Sequence, residues 1–469
     1  MNILLTRPYA ETRDISRVMP LGLIAVGTVL KRKGYNVRIE DLRLSQNPGA
    51  DLTRVMQEFS PDVVGVGLMT VESDYAFNMA ARIKDIDPNC TVVFGGPHCA
   101  HDPEFILHDP NVDVMVVGEA ELTIAELMET LRNKSYLGVV KGIAFKKDGE
   151  YIKTGAREKI LDLNWLDQDY ELLDVQDYFN FQCSHEYLPA TQSFMPLVTS
   201  RGCPFTCIYC HDIFGKDIRY RSADKVLEEM EMMMKCYGVR EFHILDDSFN
   251  IDMKRAKKIF DMIVERGHDV KIAFPNGIRA DYIDDEMVEK MAKAGVYRLA
   301  LGIESGSLRI QKLISKSLDI GILRGVVSKL SRAGIGVNGF FMLGFPGETM
   351  DEMQQTIEFA CDLDLSTALF SLVIPNPGTE LRDMVIDEGE MVNKSFSEYS
   401  ITAVNSNASK VDPQILAKLQ KQAYRKFYFN PKRAWQIYRT TPSKRLLFSK
   451  FLSLLKLTSS WSKRLSYQS

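Results

Sequence analysis

Residues 2–134 alternate short apolar runs with stretches of helical spacing. Asn2–Pro8, Tyr35–Asp41, Asp62–Thr70, Thr91–Gly96 and Val112–Glu119 read as strands. The runs VVGVGLM and TVVFGG are apolar throughout, as strands buried on both faces must be. Leu23, Val26, Gly27 and Leu30 recur at helical spacing within Pro20–Gly34, which ends in a glycine stop. Further helical patterns lie near 51–59, 73–86 and 121–133. This alternation predicts a doubly wound α/β domain on a parallel sheet. Ligands of such a sheet lie beyond the carboxyl ends of its strands. Here those ends are Thr6-Arg7-Pro8, Met69-Thr70, Gly95-Gly96-Pro97-His98 and Gly118-Glu119.

The rhythm breaks over 135–194, which holds a hairpin at 138–155 around Asp148-Gly149 and then an irregular acidic stretch with Trp165. It reads as a packed linker. Strand patterns resume at 195–201, 241–247, 271–278, 298–305, 336–345 and 367–375. Helical patterns follow the first five, near 222–236, 253–267, 284–295, 320–334 and 349–363. Six β/α steps are too few for a closed eight-fold barrel and fit a partial, open one. The expected division is 1–135 for the first domain, 136–194 for the linker, 195–380 for the barrel and 381–469 for a basic helical C-terminal region.

A length of 469 residues suits two to four domains at about 150 residues each. An apolar share of 45% and a charged share of 26% exclude a collagen, a coiled-coil rod and a mostly disordered chain. No apolar run is long enough to span a bilayer, and the opening MNILLTRPY lacks the order of a secretory signal. Eight cysteines are too few for a disulfide scaffold, so reduced thiols in a cytoplasmic protein are expected, with clustered ones on a metal. The net charge of −4 hides an asymmetry: residues 413–469 carry thirteen Lys or Arg and no Asp or Glu, leaving −17 on the rest. A basic tail on an acidic body points to an anionic partner.

The first barrel strand runs into Ser200-Arg201-Gly202-Cys203-Pro204-Phe205-Thr206-Cys207-Ile208-Tyr209-Cys210-His211, with cysteines spaced C-x3-C-x2-C. Three thiolates in one loop with Gly and Pro can converge on one metal centre. Iron–sulfur cubes normally take four thiolates, so three leave one iron open to a chelator. Structural zinc with His211 as fourth ligand, or buried thiols, are the other readings. Adjacent Cys210 and His211 fit poorly around one tetrahedral ion.

This spacing, with Tyr209 before the last Cys, resembles the radical S-adenosylmethionine (SAM) superfamily over about 195–380. The resemblance recurs after each later strand. Asp246-Asp247-Ser248-Phe249 looks like the segment that holds the SAM amino group, and Gly277-Ile278-Arg279-Ala280-Asp281 follows the third strand. Gly302-Ile303-Glu304-Ser305-Gly306-Ser307 resembles the segment contacting the SAM carboxylate and ribose. Gly344-Phe345-Pro346-Gly347-Glu348-Thr349 resembles the adenine-side loop, and Pro375-Asn376-Pro377-Gly378-Thr379 ends the sixth strand. The resemblance implies a [4Fe–4S] cluster on Cys203, Cys207 and Cys210, and SAM near Tyr209, Asp246, Asp247, Ser248, Arg279, Glu304, Ser305 and Gly344. In this family SAM chelates the open iron, and one electron from the cluster cleaves the sulfonium. The resulting 5′-deoxyadenosyl radical abstracts hydrogen from an unactivated C–H. An external one-electron donor such as flavodoxin or ferredoxin is implied.

The first domain resembles the Rossmann-like cobalamin-binding domain found in front of many such enzymes, through Met19-Pro20-Leu21-Gly22-Leu23, Gly95-Gly96-Pro97-His98 and Gly118-Glu119-Ala120-Glu121. The last departs from the commoner Gly-Glu-Gly-Glu. The implied cobalamin contacts are Thr6, Thr70, Gly95, Gly96, His98, Gly118 and Glu119. The D-x-H-x-x-G motif is absent, since His98, His101 and His108 each lack an Asp two residues earlier. Within the family that absence is usual, so cobalt can be bound without a His ligand. No G-x-G-x-x-G follows the first strand, which disfavours a dinucleotide.

Residues 414–440 read as a helix broken near Pro431. Residues 443–465 then place Leu447, Phe448, Phe451, Leu452, Leu454 and Leu455 among Lys444, Arg445, Lys450 and Lys456. That pattern, with Trp461 near its end, suits an interfacial helix on an anionic bilayer, peripheral on the inner face of the membrane. A helix that caps the barrel or docks on a partner is the alternative. Nucleic acid is not expected, because no basic binding fold accompanies the tail. The architecture resembles the group of anaerobic magnesium-protoporphyrin cyclases and methylases of unactivated carbon. The expected reaction is methyl transfer from methylcobalamin to an sp³ or phosphinate-type centre of a small molecule, which the tail suggests is hydrophobic or lipid-like. Ring closure, oxidation or rearrangement with the same cofactors is the second reading, and a non-catalytic cobalamin or redox sensor the third.

Overall fold

A computed structural model of the chain describes residues 1–9, 18–100, 106–181, 186, 188–387 and 408–449. Strands β1 (Asn2–Thr6), β2 (Asn36–Glu40), β3 (Val63–Gly67), β4 (Thr91–Gly95) and β5 (Val114–Val116) form a parallel sheet. The hairpin β6 (Ile143–Lys147) and β7 (Glu150–Lys153) joins it antiparallel beside β5, giving the order β2-β1-β3-β4-β5-β6-β7. The hairpin placed in the linker by its sequence therefore extends the first sheet. Strand order reverses between β1 and β3, which puts a ligand crevice above their carboxyl ends. Side chains alternate faces, as a pleated strand requires. Leu4 packs under helices Pro48–Phe59 and Ser73–Ile86, while Ile3 and Leu5 face the opposite side. There the core runs unbroken through Tyr170, Val175 and Tyr178 into the barrel.

The barrel opens with β8 (Met195–Leu197). The chain then breaks away as β9 (Ser200–Arg201), which pairs antiparallel with β10 (Arg219–Tyr220). The run read as one strand is thus two, and the cysteine loop spans β9 to β10. Strands β11 (Glu241–Ile244), β12 (Lys271–Ile278), β13 (Val296–Glu304), β14 (Gly336–Leu343) and β15 (Thr367–Leu372) complete a six-stranded parallel sheet, β15-β14-β13-β12-β11-β8. Most of its helices start at side-chain caps: Ser222, Asp252, Asp284 and Thr349 each accept a backbone N–H of the following turn, whereas helix Leu323–Arg332 starts at Ile322 without one. A short helix, Leu308–Leu313, follows β13 where no helical pattern was evident.

Helix Pro413–Tyr428 covers the free edge of β15. The Ala368 N–H donates to the Tyr428 hydroxyl (3.1 Å), which donates to the Ala368 carbonyl (3.0 Å). Tyr424 serves Phe370 in the same way at 3.2 and 3.3 Å, and Gln420 adds a bond to the Phe370 carbonyl at 2.7 Å. Helix Pro431–Thr440 then crosses the N-terminal ends of the strands. Arg433 reaches the Leu363 carbonyl at 3.1 Å, and Thr440 bonds Ser366 at 3.0 Å. Among the described residues no helix is long and apolar enough to cross a membrane. Of the interfacial segment 443–465, residues 450–465 lie outside the described ones.

Candidate functional site

The cysteine loop can close only because position 202 is glycine. Its φ is +100°, and a Cβ there would stand 2.5 Å from the Asp217 carbonyl oxygen. The next residue, Cys203, donates its N–H to the Gly215 carbonyl (3.1 Å), and Cys210 turns back onto the Cys207 carbonyl (3.1 Å). Ser248 donates to the Cys203 sulfur at 3.2 Å. Cys203 and Cys207 are half-buried, while Cys210 opens onto the cleft. Protein packed around it, and then the Cys207 and Cys203 sulfurs, push the Cys210 thiol up to about 12. Three thiolates crowded in one loop repel one another, which bound iron relieves. Among the described residues no three His, Cys, Asp or Glu side chains are grouped as a single ion would need.

Beside the loop, Glu304 ends β13 with φ +66°, a left-handed backbone in a residue other than glycine. Its Oε1 accepts from the Tyr209 hydroxyl at 3.1 Å and from Lys316 Nζ at 3.0 Å, and Lys316 also reaches the Tyr209 oxygen at 3.1 Å. Burial pulls Lys316 down, yet Glu304 and the Cys207 sulfur outweigh it and hold the ammonium above its ordinary value. Lys316 was missed in the sequence reading. A Cβ on Gly302 would stand 2.8 Å from its Nζ, so that glycine makes room for the lysine.

Four polar residues at the strand ends turn inward to hold loops. Asp246 accepts from Thr199 N–H (2.6 Å), the Thr199 hydroxyl (2.5 Å) and the Ser200 hydroxyl (2.6 Å). Arg279 pairs with Asp281, donates to the Lys316 and Ser317 carbonyls at 2.8 and 3.0 Å, and lies 3.9 Å from the Phe205 ring centre. The Ser305 hydroxyl bonds Thr356 (3.1 Å) under complete burial. Gly344 and Phe345 donate their N–H groups to Glu348 Oε2 at 2.7 and 3.0 Å. Burial pushes the Glu348 carboxyl up to about 7. Asp247 points instead into a cavity of about 130 Å³ at the domain junction, lined also by Leu21, Gly22, Leu163, Val198 and Phe214. Burial raises Asp247 above the ordinary carboxylate range, against the pull of His211.

At the first sheet, Thr6 is fully buried and its hydroxyl donates to the Glu40 carbonyl at 2.7 Å. Thr70 is exposed. Gly96 has φ +106° and stands so close to the Leu68 carbonyl that a Cβ would come within 2.7 Å. Gly118 has φ +87° with nothing within 4 Å of an added Cβ, and Gly95 meets only Val116 at 3.9 Å. His98 is buried in the short helix Pro97–Ala100. Glu119 turns away from the sheet toward the barrel, where it pairs with Arg201 at 3.5 Å and with Arg219.

Two family profiles match this chain: the radical SAM superfamily over residues 197–360 and the B12 binding domain over 16–128. An uncharacterized methyltransferase of Pyrococcus horikoshii is 31% identical over 441 residues, 92% of this chain and 93% of the relative. The chain belongs to the B12-binding radical SAM family. Cytidylyl-2-hydroxyethylphosphonate methyltransferase of Streptomyces wedmorensis is 29% identical, covering 85% of this chain and 84% of that one. The anaerobic magnesium-protoporphyrin IX monomethyl ester cyclase of Cereibacter sphaeroides is 25% identical over 85% of this chain and 65% of its own. Among solved structures, the cobalamin-dependent radical enzyme OxsB shares the fold with a TM-score of 0.74 and 16% identity, covering 97% of this chain and 75% of that one. The methyltransferase TsrM of Kitasatospora setae follows at 0.71 and 18%, with 82% and 78% covered.

This radical SAM enzyme uses a [4Fe–4S] cluster, SAM and cobalamin, and its residues fit those groups unequally. The crowded thiols suit cluster iron. Open backbone at Gly95 and Gly118 leaves room for a large flat corrinoid. On the SAM side, Asp247, Ser248, Tyr209 and Glu304 remain by the cysteine loop. Asp246, Arg279 and Ser305, expected to touch SAM, have their polar atoms committed to loop contacts; Thr6, expected at cobalamin, has its hydroxyl committed to β2.

Proposed function

We propose that this enzyme methylates an unactivated carbon or phosphinate-type centre of a small molecule bound at the junction of its two domains. The observation that carries this reading is the cavity shared by Leu21 and Gly22 of the first domain, Leu163 of the connecting segment, and Val198, Phe214 and Asp247 of the barrel. When bound, cobalamin supplies a transferable methyl group, and SAM on the cluster supplies a hydrogen-abstracting radical. The chain's own residues then have three tasks. Leu163, Val198 and Phe214 exclude water from the reacting atoms. Asp247 and Ser248 offer acceptors to the SAM amino group. Lys316, held by Glu304 and Tyr209, keeps a fixed positive charge beside the Cys207 thiolate.

The deciding experiment uses anaerobically reconstituted holoenzyme, a one-electron donor of the flavodoxin or ferredoxin type and methyl-deuterated SAM. The acceptor is the small-molecule extract of a strain lacking the gene. S-adenosylhomocysteine, 5′-deoxyadenosine and a deuteromethyl product together support methyl transfer. Deoxyadenosine without S-adenosylhomocysteine supports oxidation or cyclisation, the second reading, which the likeness to a cyclase over 85% of this chain favours. Neither product with an intact cluster supports the sensor reading.

We also propose that the tail makes peripheral contact with an anionic membrane. Phe429, Trp435 and Phe448 are exposed beside Lys432 and Arg445. Phe429 follows helix Pro413–Tyr428 and Trp435 lies on helix Pro431–Thr440, which crosses the N-terminal ends of the barrel strands, whereas the cysteine loop lies at the other end. A tail bound in that way directs the site toward water, so the acceptor it favours is a water-soluble molecule rather than a lipid taken from the bilayer. Vesicle sedimentation of the full chain against a 1–440 truncation, with neutral and anionic lipid, tests the contact. Pelleting with anionic lipid that salt weakens and truncation abolishes supports it.

A further inference from the structure

Gly118-Glu119-Ala120-Glu121 closes β5 and opens helix Ala120–Arg132, yet Glu119 does not cap that helix with its side chain. Both carboxylates leave their own domain. Glu121 Oε1 binds Arg201 Nη2 at 2.5 Å. Glu119 Oε2 takes Arg201 Nη1 at 3.5 Å and the Ile160 N–H at 3.4 Å, and its other oxygen pairs with Arg219. All four side chains are about nine-tenths buried or more, at 12% exposure for Arg201, 8% for Glu119 and 5% for both Glu121 and Arg219. Arg201 and Arg219 face each other across β9 and β10, the two strands from which the cysteine loop hangs. Cys203 follows Arg201 by two residues, with the constrained Gly202 between them.

We infer that Glu119 and Glu121 are a latch: positioning residues that fix the cysteine loop against the corrinoid-binding domain, and not ligands of the corrinoid. The charge count supports this. Two acids and two arginines balance in a buried site, and such a cluster adds little net stability over an apolar contact, while it strongly prefers one geometry. Position supports it too. Gly118, whose Cβ direction is open space, adjoins Glu119, so a ligand that fills that space presses on the turn that holds both arginines. Corrinoid binding is thereby transmitted to the loop that carries the cluster.

The test compares wild type, the E119Q/E121Q double variant and the exchanged pair E121R/R201E. All are reconstituted anaerobically with iron and sulfide and divided into samples with and without hydroxocobalamin. The readouts are corrinoid per chain and the electron paramagnetic resonance spectrum of the reduced cluster. In wild type, cobalamin is expected to change that spectrum. The double variant is expected to bind corrinoid at wild-type stoichiometry and keep its iron, with the cobalamin-induced change reduced several-fold. The exchanged pair is expected to recover part of it. Loss of corrinoid from the double variant with its iron retained would make the two acids ligands and overturn the latch. A spectrum that responds equally in wild type and double variant, or in neither, also overturns it. If the double variant does not fold, E121Q alone, which keeps Glu119 on both arginines, must show an intermediate response; a full wild-type response from it would reject a role for Glu121.

Discussion

At the N-terminal end of the barrel, Glu241 has more donors than it can well use. Ala190 N–H, Thr191 N–H, the Thr191 hydroxyl and the Tyr297 hydroxyl all donate to it, at 3.0, 2.5, 2.8 and 2.6 Å, and His243 Nε2 lies at 2.8 Å. Nearby, Arg298 pairs with Glu186 at 3.3 Å and reaches Thr441 at 3.2 Å. At the C-terminal end, Glu304 sits on a left-handed backbone, and Glu348 has one oxygen with no hydrogen-bond donor among the described residues. Both ends spend most of their polar groups on the fold, and each leaves a buried polar atom without a hydrogen-bond partner among the described residues, Arg298 Nε at the sealed end and Glu348 Oε1 at the open one. The difference lies in the carboxylates: Glu241 is fully occupied, while the open end, where a barrel places its chemistry, keeps an acceptor oxygen and a strained backbone.

The largest effect that sharpens this contrast is at the open end. Replacing Cys203, Cys207 and Cys210 together by Ala should take iron from about four per chain to almost none, with the thermal transition of the cluster-free protein unchanged. Iron and sulfide analysis checks it, and a variant that kept its iron would break the assignment.

At the sealed end, Glu241→Ala should cost on the order of 3–5 kcal/mol, the penalty for stranding partners of a buried charge. Urea unfolding measures it. Iron per folded chain should not change, and a loss of iron would mean that the two ends are not separable.

The ends should also respond oppositely to pH. Burial raises Glu348 from 4.5 to about 7, so its unfolded form ionises first and stability falls as pH climbs between those values. The loss is on the order of 3 kcal/mol at about 1.4 kcal/mol per unit, and Glu348→Gln should flatten it. Burial pushes Glu241 up as well, but its hydrogen bonds, led by His243, outweigh that and hold it below the ordinary carboxylate range. Its contribution is therefore present above that range and lost as pH falls through the lowered value, a slope that Glu241→Gln should remove. Unfolding free energies across pH would break the contrast if both slopes shared a sign.

The smallest expected effects lie at the first sheet. Gly118→Ala strains only its own backbone and should cost about 1–2 kcal/mol. Gly96→Ala adds the collision with Leu68 and should cost more, about 2–3 kcal/mol. Equal values from thermal unfolding would contradict the open space assigned at Gly118.

The sequence carried much of this, and its failures share a cause. Strand alternation and the C-x3-C-x2-C spacing are local patterns, legible without coordinates. A polar residue at a strand end is not, because Asp246 holding Thr199 and Asp247 facing a cavity are adjacent and chemically identical. Only the fold tells which side chain turns inward. The hairpin at 143–153 is legible from its Asp148-Gly149 turn, but a turn does not say which sheet the hairpin joins. Lys316 stood in an unremarkable Ser-Lys-Ser turn. Its signals were Gly302, too small to block it, and Ser315 and Ser317, whose φ values of +52° and +53° aim it back at Glu304.

A barrel that stops at six strands exposes a rim of unpaired amides, an invitation for another chain to add a strand of its own. Here two phenols and a carboxamide occupy that rim in place of a seventh strand. A side chain satisfies the donors and acceptors it reaches but offers none of its own for the next strand. The tyrosines of helix Pro413–Tyr428 therefore act as a terminator for strand addition, and a chain cut short before that helix would be left open to polymerising edge to edge.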